Sequence, residues 1–152
     1  MDTTGFFNYP TLAAPEPAPD PGFLPRATED EWDALLDATE TLRFAPGDVV
    51  LTAGARDRAF YLLLDGVVAP DGPGPAIAAP ATLGAVAFLD GGARAVTLVA
   101  RSHGEVARLS WDAFEALAAR RPALGRAILA ELGRGLGARL RAAGHTLAGW
   151  TG

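Results

Sequence analysis

The sequence holds no cysteine and two histidines, His103 and His145. Disulfide frameworks, thiolate nucleophiles and metal sites built on Cys or on several His are therefore excluded. Lysine is also missing: all 13 basic residues are arginine, a bias that travels with the abundant Ala, Gly and Pro and reads as compositional. Serine occurs only as Ser102 and Ser110, and no Gly-x-Ser-x-Gly elbow is present, so hydrolysis through an activated serine has no candidate. A net charge of -5 leaves too little positive charge to hold nucleic acid by bulk phosphate neutralisation. Residues 1–10 carry neither a basic segment nor a sustained apolar run. Neither a secretory signal nor a membrane span is expected, and the expected location is the cytoplasm.

What is present fits one domain of 152 residues with 49% hydrophobic composition, enough to bury a core. The 18 glycines and 12 prolines favour many tight turns over a long helical bundle. Charge is unevenly spread: residues 1–100 carry 14 acids and 5 bases, residues 101–152 carry 4 acids and 8 bases. Residues 13–22, AAPEPAPDPG, contain four prolines and predict an extended linker. Ahead of it Phe6, Phe7 and Tyr9 form an aromatic cluster that a short arm cannot bury alone. Its two destinations are a partner surface and a staple folded back onto its own domain.

Thr28 and Glu31 make a capping box that starts a helix carrying Trp32, Leu35, Leu36 and Thr39 on one face and ending near Thr41. From Leu42 the period becomes strand-like. Short apolar runs at Val49–Leu51, Phe60–Leu64, Val67–Val68, Val96–Val99 and Val106–Leu109 alternate with Gly, Pro and Asp, which predicts an antiparallel β core. Asp65-Gly66 reads as a tight hairpin. Ser110 caps a helix with Phe114 and Leu117, and Pro122 separates it from a second helix. There Leu124, Ile128, Leu132, Leu136 and Leu140 recur every four positions, with Leu129 alongside.

Phe44-Ala45-Pro46-Gly47-Asp48-Val49-Val50, then Gly54, then Tyr61 to Val68 resemble the strand signature of the cyclic-nucleotide-binding domain, the sensor half of catabolite-activator type regulators. Leu83-Gly84-Ala85-Val86-Ala87-Phe88-Leu89 followed by Ala93-Arg94-Ala95-Val96-Thr97 resembles that family's phosphate-binding cassette. The resemblance spans about residues 23–143. It implies an α+β, mainly β fold: an antiparallel double-stranded β-helix, a jelly-roll-like β-roll over 42–109. An N-terminal helix over 23–41 and C-terminal helices over 110–145 would flank it, behind an arm over 1–22.

In the family the cassette Glu accepts the ribose 2′-hydroxyl, the Arg pairs with the cyclic phosphate, and the following Ser or Thr adds a phosphate hydrogen bond. The matching positions here are Ala85, Arg94 and Ala95. Each lost hydrogen bond to a charged or buried partner is worth about 1–3 kcal/mol, or roughly ten- to a hundred-fold in affinity. Tight binding of cyclic AMP is not expected and no cofactor is assigned, although Arg94 and the amides from Gly84 to Val86 keep anion binding open. For Arg94 a salt bridge, for instance with Asp90, competes with a ligand role. Residues 69–82 look like a shortened strand pair, and a helix-turn-helix that reads DNA is not expected.

Gly133-Arg134-Gly135-Leu136-Gly137 lacks the preceding strand a dinucleotide loop needs. Asp57, Asp65, Asp71 and Asp90 fit turns, and His103 a solvated hairpin tip. The chain is therefore expected to be a non-catalytic module that meets a protein partner, or a second copy of itself, through Phe6, Phe7, Tyr9, Leu132, Leu136 and Leu140. Binding of a cyclic nucleotide or another phosphorylated metabolite at Gly84, Ala85, Val86, Arg94 and Ala95 is the alternative. Neither DNA nor membrane is an expected partner.

Overall fold

A computed structural model describes residues 23–144; the arm with Phe6, Phe7 and Tyr9, and His145, lie outside the described residues. Helix α1 (Glu29–Asp37) is capped as its sequence requires. Thr28 Oγ1 accepts from the Glu31 amide at 3.1 Å while Glu31 Oε1 accepts from the Thr28 amide at 3.0 Å. The helix ends earlier than its apolar spacing suggests. Thr39 donates its hydroxyl to the Leu36 carbonyl at 2.7 Å, and Glu40 already opens a strand, because pairing with a distant strand outweighs local helical preference.

Strands β1 (Glu40–Phe44), β2 (Val49–Leu51), β3 (Ala59–Asp65), β4 (Val67–Pro70), β5 (Ile77–Ala78) and β6 (Ala81–Leu83) precede helix α2 (Ala85–Asp90). Strands β7 (Leu98–Ala100) and β8 (Gly104–Ser110) follow, then helices α3 (Trp111–Arg120) and α4 (Pro122–Ala142). The strands form two four-stranded sheets of order β1-β8-β3-β6 and β2-β7-β4-β5, with antiparallel pairing throughout. The two-residue β5 bears out the shortened strand pair.

Asp65-Gly66 is not a hairpin. Strand β3 belongs to one sheet and β4 to the other, so Gly66, at φ +97, is a corner where the chain changes sheets. Residues 101–103 form a second corner between β7 and β8, which places His103 there rather than at a hairpin tip. The corners lock together: the Arg101 amide donates to the Val67 carbonyl at 2.8 Å, and the Val67 amide to Ser102 Oγ at 3.0 Å. A Cβ on Gly66 would lie 2.7 Å from the His103 carbonyl oxygen, so only glycine fits.

Two apolar clusters share strand β3. Ala59, Tyr61 and Leu63 face the roll interior with Phe44, Leu51, Val68, Leu83, Leu98 and Val106. Phe60 and Leu62 face the helices with Leu35, Phe88, Leu109, Phe114, Leu117, Leu124, Ile128 and Leu132. Burial of both faces explains why β3 reads as one unbroken apolar run. Edge-on aromatic contacts at 4.9 Å (Phe60–Phe88), 5.0 Å (Phe88–Trp111) and 5.4 Å (Phe88–Phe114) carry the packing from β3 through α2 to α3.

Helix α4 uses its leucine stripe differently from the sequence expectation. Leu132 is fully buried in the domain's own core and Leu136 packs against that core, so their side chains serve folding before any partner. The outward apolar positions are Leu140, 42% exposed, and Leu129, 37% exposed. Gly125 brings α3 and α4 together, since a Cβ there would lie 2.6 Å from Ala118 Cβ.

Candidate functional site

The cassette expected from sequence is residues 84–97: the entry to α2, the helix, and the loop that leads to β7. It is held against the loop that joins β2 to β3. Gly84 caps α2 at φ +77, a conformation that favours glycine, and a Cβ there would overlap the Arg94 guanidinium. Gly54 donates to the Arg94 carbonyl at 2.8 Å and the Arg94 amide donates to the Ala55 carbonyl at 2.8 Å. The backbone around Arg94 is thereby stitched to the β2–β3 loop.

The Arg94 side chain points inward and only 5% of the residue is exposed. Nη1 donates to the Gly84 carbonyl at 2.9 Å, and Nη2 to the carbonyls of Asp57 at 2.7 Å and Ala59 at 2.6 Å. Its charge partner is the Asp57 carboxylate at 3.5 Å. The expected pairing with Asp90 does not form; Asp90 Oδ1 instead accepts from the Gly92 amide at 2.7 Å, a local turn contact.

Asp57 gathers more than Arg94. Oδ2 accepts from the Tyr61 hydroxyl at 2.7 Å, and Oδ1 pairs with Arg108 Nη2. Tyr61 and Arg108 are register partners across β3 and β8 and so share a face. Glu40, opposite Arg108 on β1, completes the group at 4.0 Å. Burial pushes the Asp57 carboxyl up, but hydrogen bonds from Arg108 and Tyr61 and the charges of Arg108 and Arg94 outweigh it, holding the group below its ordinary value. Burial and then the bond to Asp57 raise the Tyr61 phenol, and the bond to Asp57 raises Arg108.

A second arginine closes the other end of α2. Arg58 Nε donates to the Phe88 carbonyl at 2.9 Å and Nη2 to the Leu89 carbonyl at 3.2 Å, with the guanidinium 3.6 Å over the Trp111 ring. Arg58 therefore satisfies carbonyls that α2 leaves open at its C-terminal end, and Arg94 reaches the N-cap carbonyl.

Of the five candidate ligand residues, the structure brings Gly84 and Arg94 into direct contact. Ala85 is buried in the cluster facing the helices, Val86 is 57% exposed, and Ala95 is exposed. Among the described residues no group of three or more His, Asp or Glu is placed to hold a metal ion. Sequence reasoning missed Asp57, Tyr61, Arg108 and Arg58. The available signal was a tyrosine inside an apolar run, whose buried hydroxyl needs a partner.

The fold is a β-roll flanked by helices, with Arg94 of the cassette segment turned inward. The sequence model of the cyclic nucleotide-binding domain matches residues 41–121, more than half of the chain, and the chain belongs to that family. A cyclic nucleotide-binding domain from Methylobacillus flagellatus superposes with a TM-score of 0.72 at 27% identity, covering 83% of this chain and 76% of that one. The catabolite activator protein of Thermus thermophilus superposes with a TM-score of 0.65 at 26% identity, over 78% of this chain and 58% of that one. A cAMP-dependent protein kinase regulatory subunit of Hypocrea atroviridis is 35% identical over 97 residues, 62% of this chain. The chain spans only 21% of that regulatory subunit's length. No helix among the described residues is long and apolar enough to cross a membrane.

Proposed function

We propose that this domain is a non-catalytic interaction module, a structural or adaptor unit within a larger assembly whose cassette does not bind cyclic AMP tightly. The observation that carries the reading is the inward commitment of Arg94 to three main-chain carbonyls and Asp57. A guanidinium so placed has spent its best donors before any phosphate arrives. Ala85 and Ala95 supply neither a carboxylate for a ribose hydroxyl nor a hydroxyl for a phosphate. The partner is a protein or a second copy of the chain, met through the N-terminal arm and the outward face of α4.

The test is thermal unfolding with cyclic AMP, cyclic GMP and cyclic dinucleotides, each at about 100 times a micromolar dissociation constant, where a binder would gain about 2.7 kcal/mol. The expected shift is nil. A rise of several degrees with any of them overturns the reading in favour of a sensor, the alternative that the retained Arg94 and the similarity to a kinase regulatory subunit support. Removal of residues 1–22 should abolish partner or self-association, read by pull-down and by sedimentation, while leaving the melting temperature nearly unchanged.

A further inference from the structure

We infer that Asp57 is a built-in counter-anion, occupying with its own carboxylate the place between Arg94 and Arg108 that an anionic ligand would otherwise take. The inference rests on the adaptor reading and supplies its cause. The donors around Asp57 come from three separate elements: Arg94 from the cassette loop, Arg108 from β8 and Tyr61 from β3. Two guanidiniums and a phenol converging on one small group form the donor set by which proteins hold a phosphate or a carboxylate. Here both carboxylate oxygens are engaged, Oδ2 by Tyr61 and Arg94 and Oδ1 by Arg108.

The site is not sealed. The Asp57 side chain is 33% exposed and that of Arg108 26%, so an anion arriving from solvent has a way in. With Asp57 neutralised, Arg108 keeps Glu40 at 4.0 Å, while Arg94 loses its carboxylate partner. A positive charge is then left over at an accessible position. The Asp57 main chain also accepts from Arg94 Nη2. The residue therefore ties the β2–β3 loop to the cassette by backbone and side chain together.

The experiment compares the full chain with its Asp57→Ala and Asp57→Asn variants by calorimetric titration and thermal shift, using inorganic phosphate and cyclic AMP in low-chloride buffer. The expected result is no heat from the original chain into the millimolar range and at least a tenfold gain in anion affinity for Asp57→Ala. That gain should weaken with added salt and vanish in Asp57→Ala with Arg108→Leu. A folded Asp57→Ala protein with no gain overturns the inference. Should both variants unfold, phosphate must restore them, because a resident anion is by definition replaceable by a free one; failure of that rescue also overturns it. If the original chain itself binds cyclic AMP, the adaptor reading falls. The role of Asp57 is then still decided by whether its removal tightens binding.

Discussion

Removing Arg94 separates a strut from a ligand residue. As a strut, the guanidinium bridges carbonyls of Gly84, Asp57 and Ala59 at 2.6–2.9 Å and faces the Asp57 carboxylate. Breaking a buried charged network by deleting one partner costs about 3–5 kcal/mol. Two features pull the value to the low end. The Gly84 and Asp57 carbonyls keep second partners in the amides of Phe88, at 3.3 Å, and Ala59, at 3.0 Å, and Asp57 keeps Arg108. Arg94→Ala should therefore lose about 3 kcal/mol, roughly 10 °C in Tm for a domain of this size. Arg94→Lys should lose about 2 kcal/mol, because a single ammonium does not reproduce a planar fork aimed at three carbonyls. The assay is urea unfolding followed by the fluorescence of Trp32 and Trp111. A loss below about 1 kcal/mol, or a gain, would refute the strut, since a guanidinium kept for a ligand carries a desolvation penalty that its removal relieves.

Three further outcomes follow from the same contacts. Asp57 is held below its ordinary value of 3.8, so its contribution to stability is complete above that pH and is lost as pH falls through the lower folded-state value. Acid titration of urea stability should show this loss in the original chain and not in Asp57→Asn. Among the described residues the buried Thr82 hydroxyl meets no hydrogen-bond partner, beside Leu62 in the β3–β6 pairing. Thr82→Val should raise stability by about 1 kcal/mol in denaturant unfolding, and a loss would mean the hydroxyl has a partner in solution. On α4, Leu132→Ala should cost about 2–5 kcal/mol and Leu140→Ala under about 0.5 kcal/mol, in line with their burial. Equal costs would show that the outward stripe is also folded against the domain.

The roll was legible because its words are local. Turn glycines, short apolar runs and the caps at Thr28 and Ser110 are read within a few residues, and the structure keeps them. What failed was pairing. Asp65-Gly66 announces a sharp turn equally well in a hairpin and at a corner between sheets, and only the partners of β3 and β4 distinguish the two. The apolar spacing of helix α1 runs past its end for a related reason, since Glu40 and Thr41 are drawn into β1 by Arg108 and Ala107 on β8. Asp57 fits a turn by a sound local rule. Its decisive partner Arg108 lies 51 residues away, beyond the reach of spacing arguments. The resemblance located Arg94 but not its direction, because the family's motif specifies residue types and not which way a guanidinium turns once its neighbours have changed.

On the adaptor reading, those changed neighbours also decide what reinstating the family's polar residues would do. Reinstating the family's polar residues by Ala85→Glu and Ala95→Ser looks like the direct route to nucleotide binding, yet Ala85 is buried in the cluster with Phe60, Leu62 and Phe88. A carboxylate there would enter an apolar layer with no described donor to meet it, and it would protonate or push α2 away from β3. Ala95→Ser alone adds one neutral hydroxyl, worth about 0.5–1.5 kcal/mol, beside an Arg94 still committed to three carbonyls. A sensor must also change state, and moving a two-state equilibrium from 1:99 to 99:1 takes about 5.5 kcal/mol of differential affinity. Here that affinity would first have to undo the grip of Arg58 and Arg94 on both ends of α2. The double variant should therefore unfold more easily than the original chain and show no thermal shift with cyclic AMP. A stable double variant that gains several degrees with cyclic AMP would show instead that the two alanines, and not the inward turn of Arg94, limit nucleotide binding.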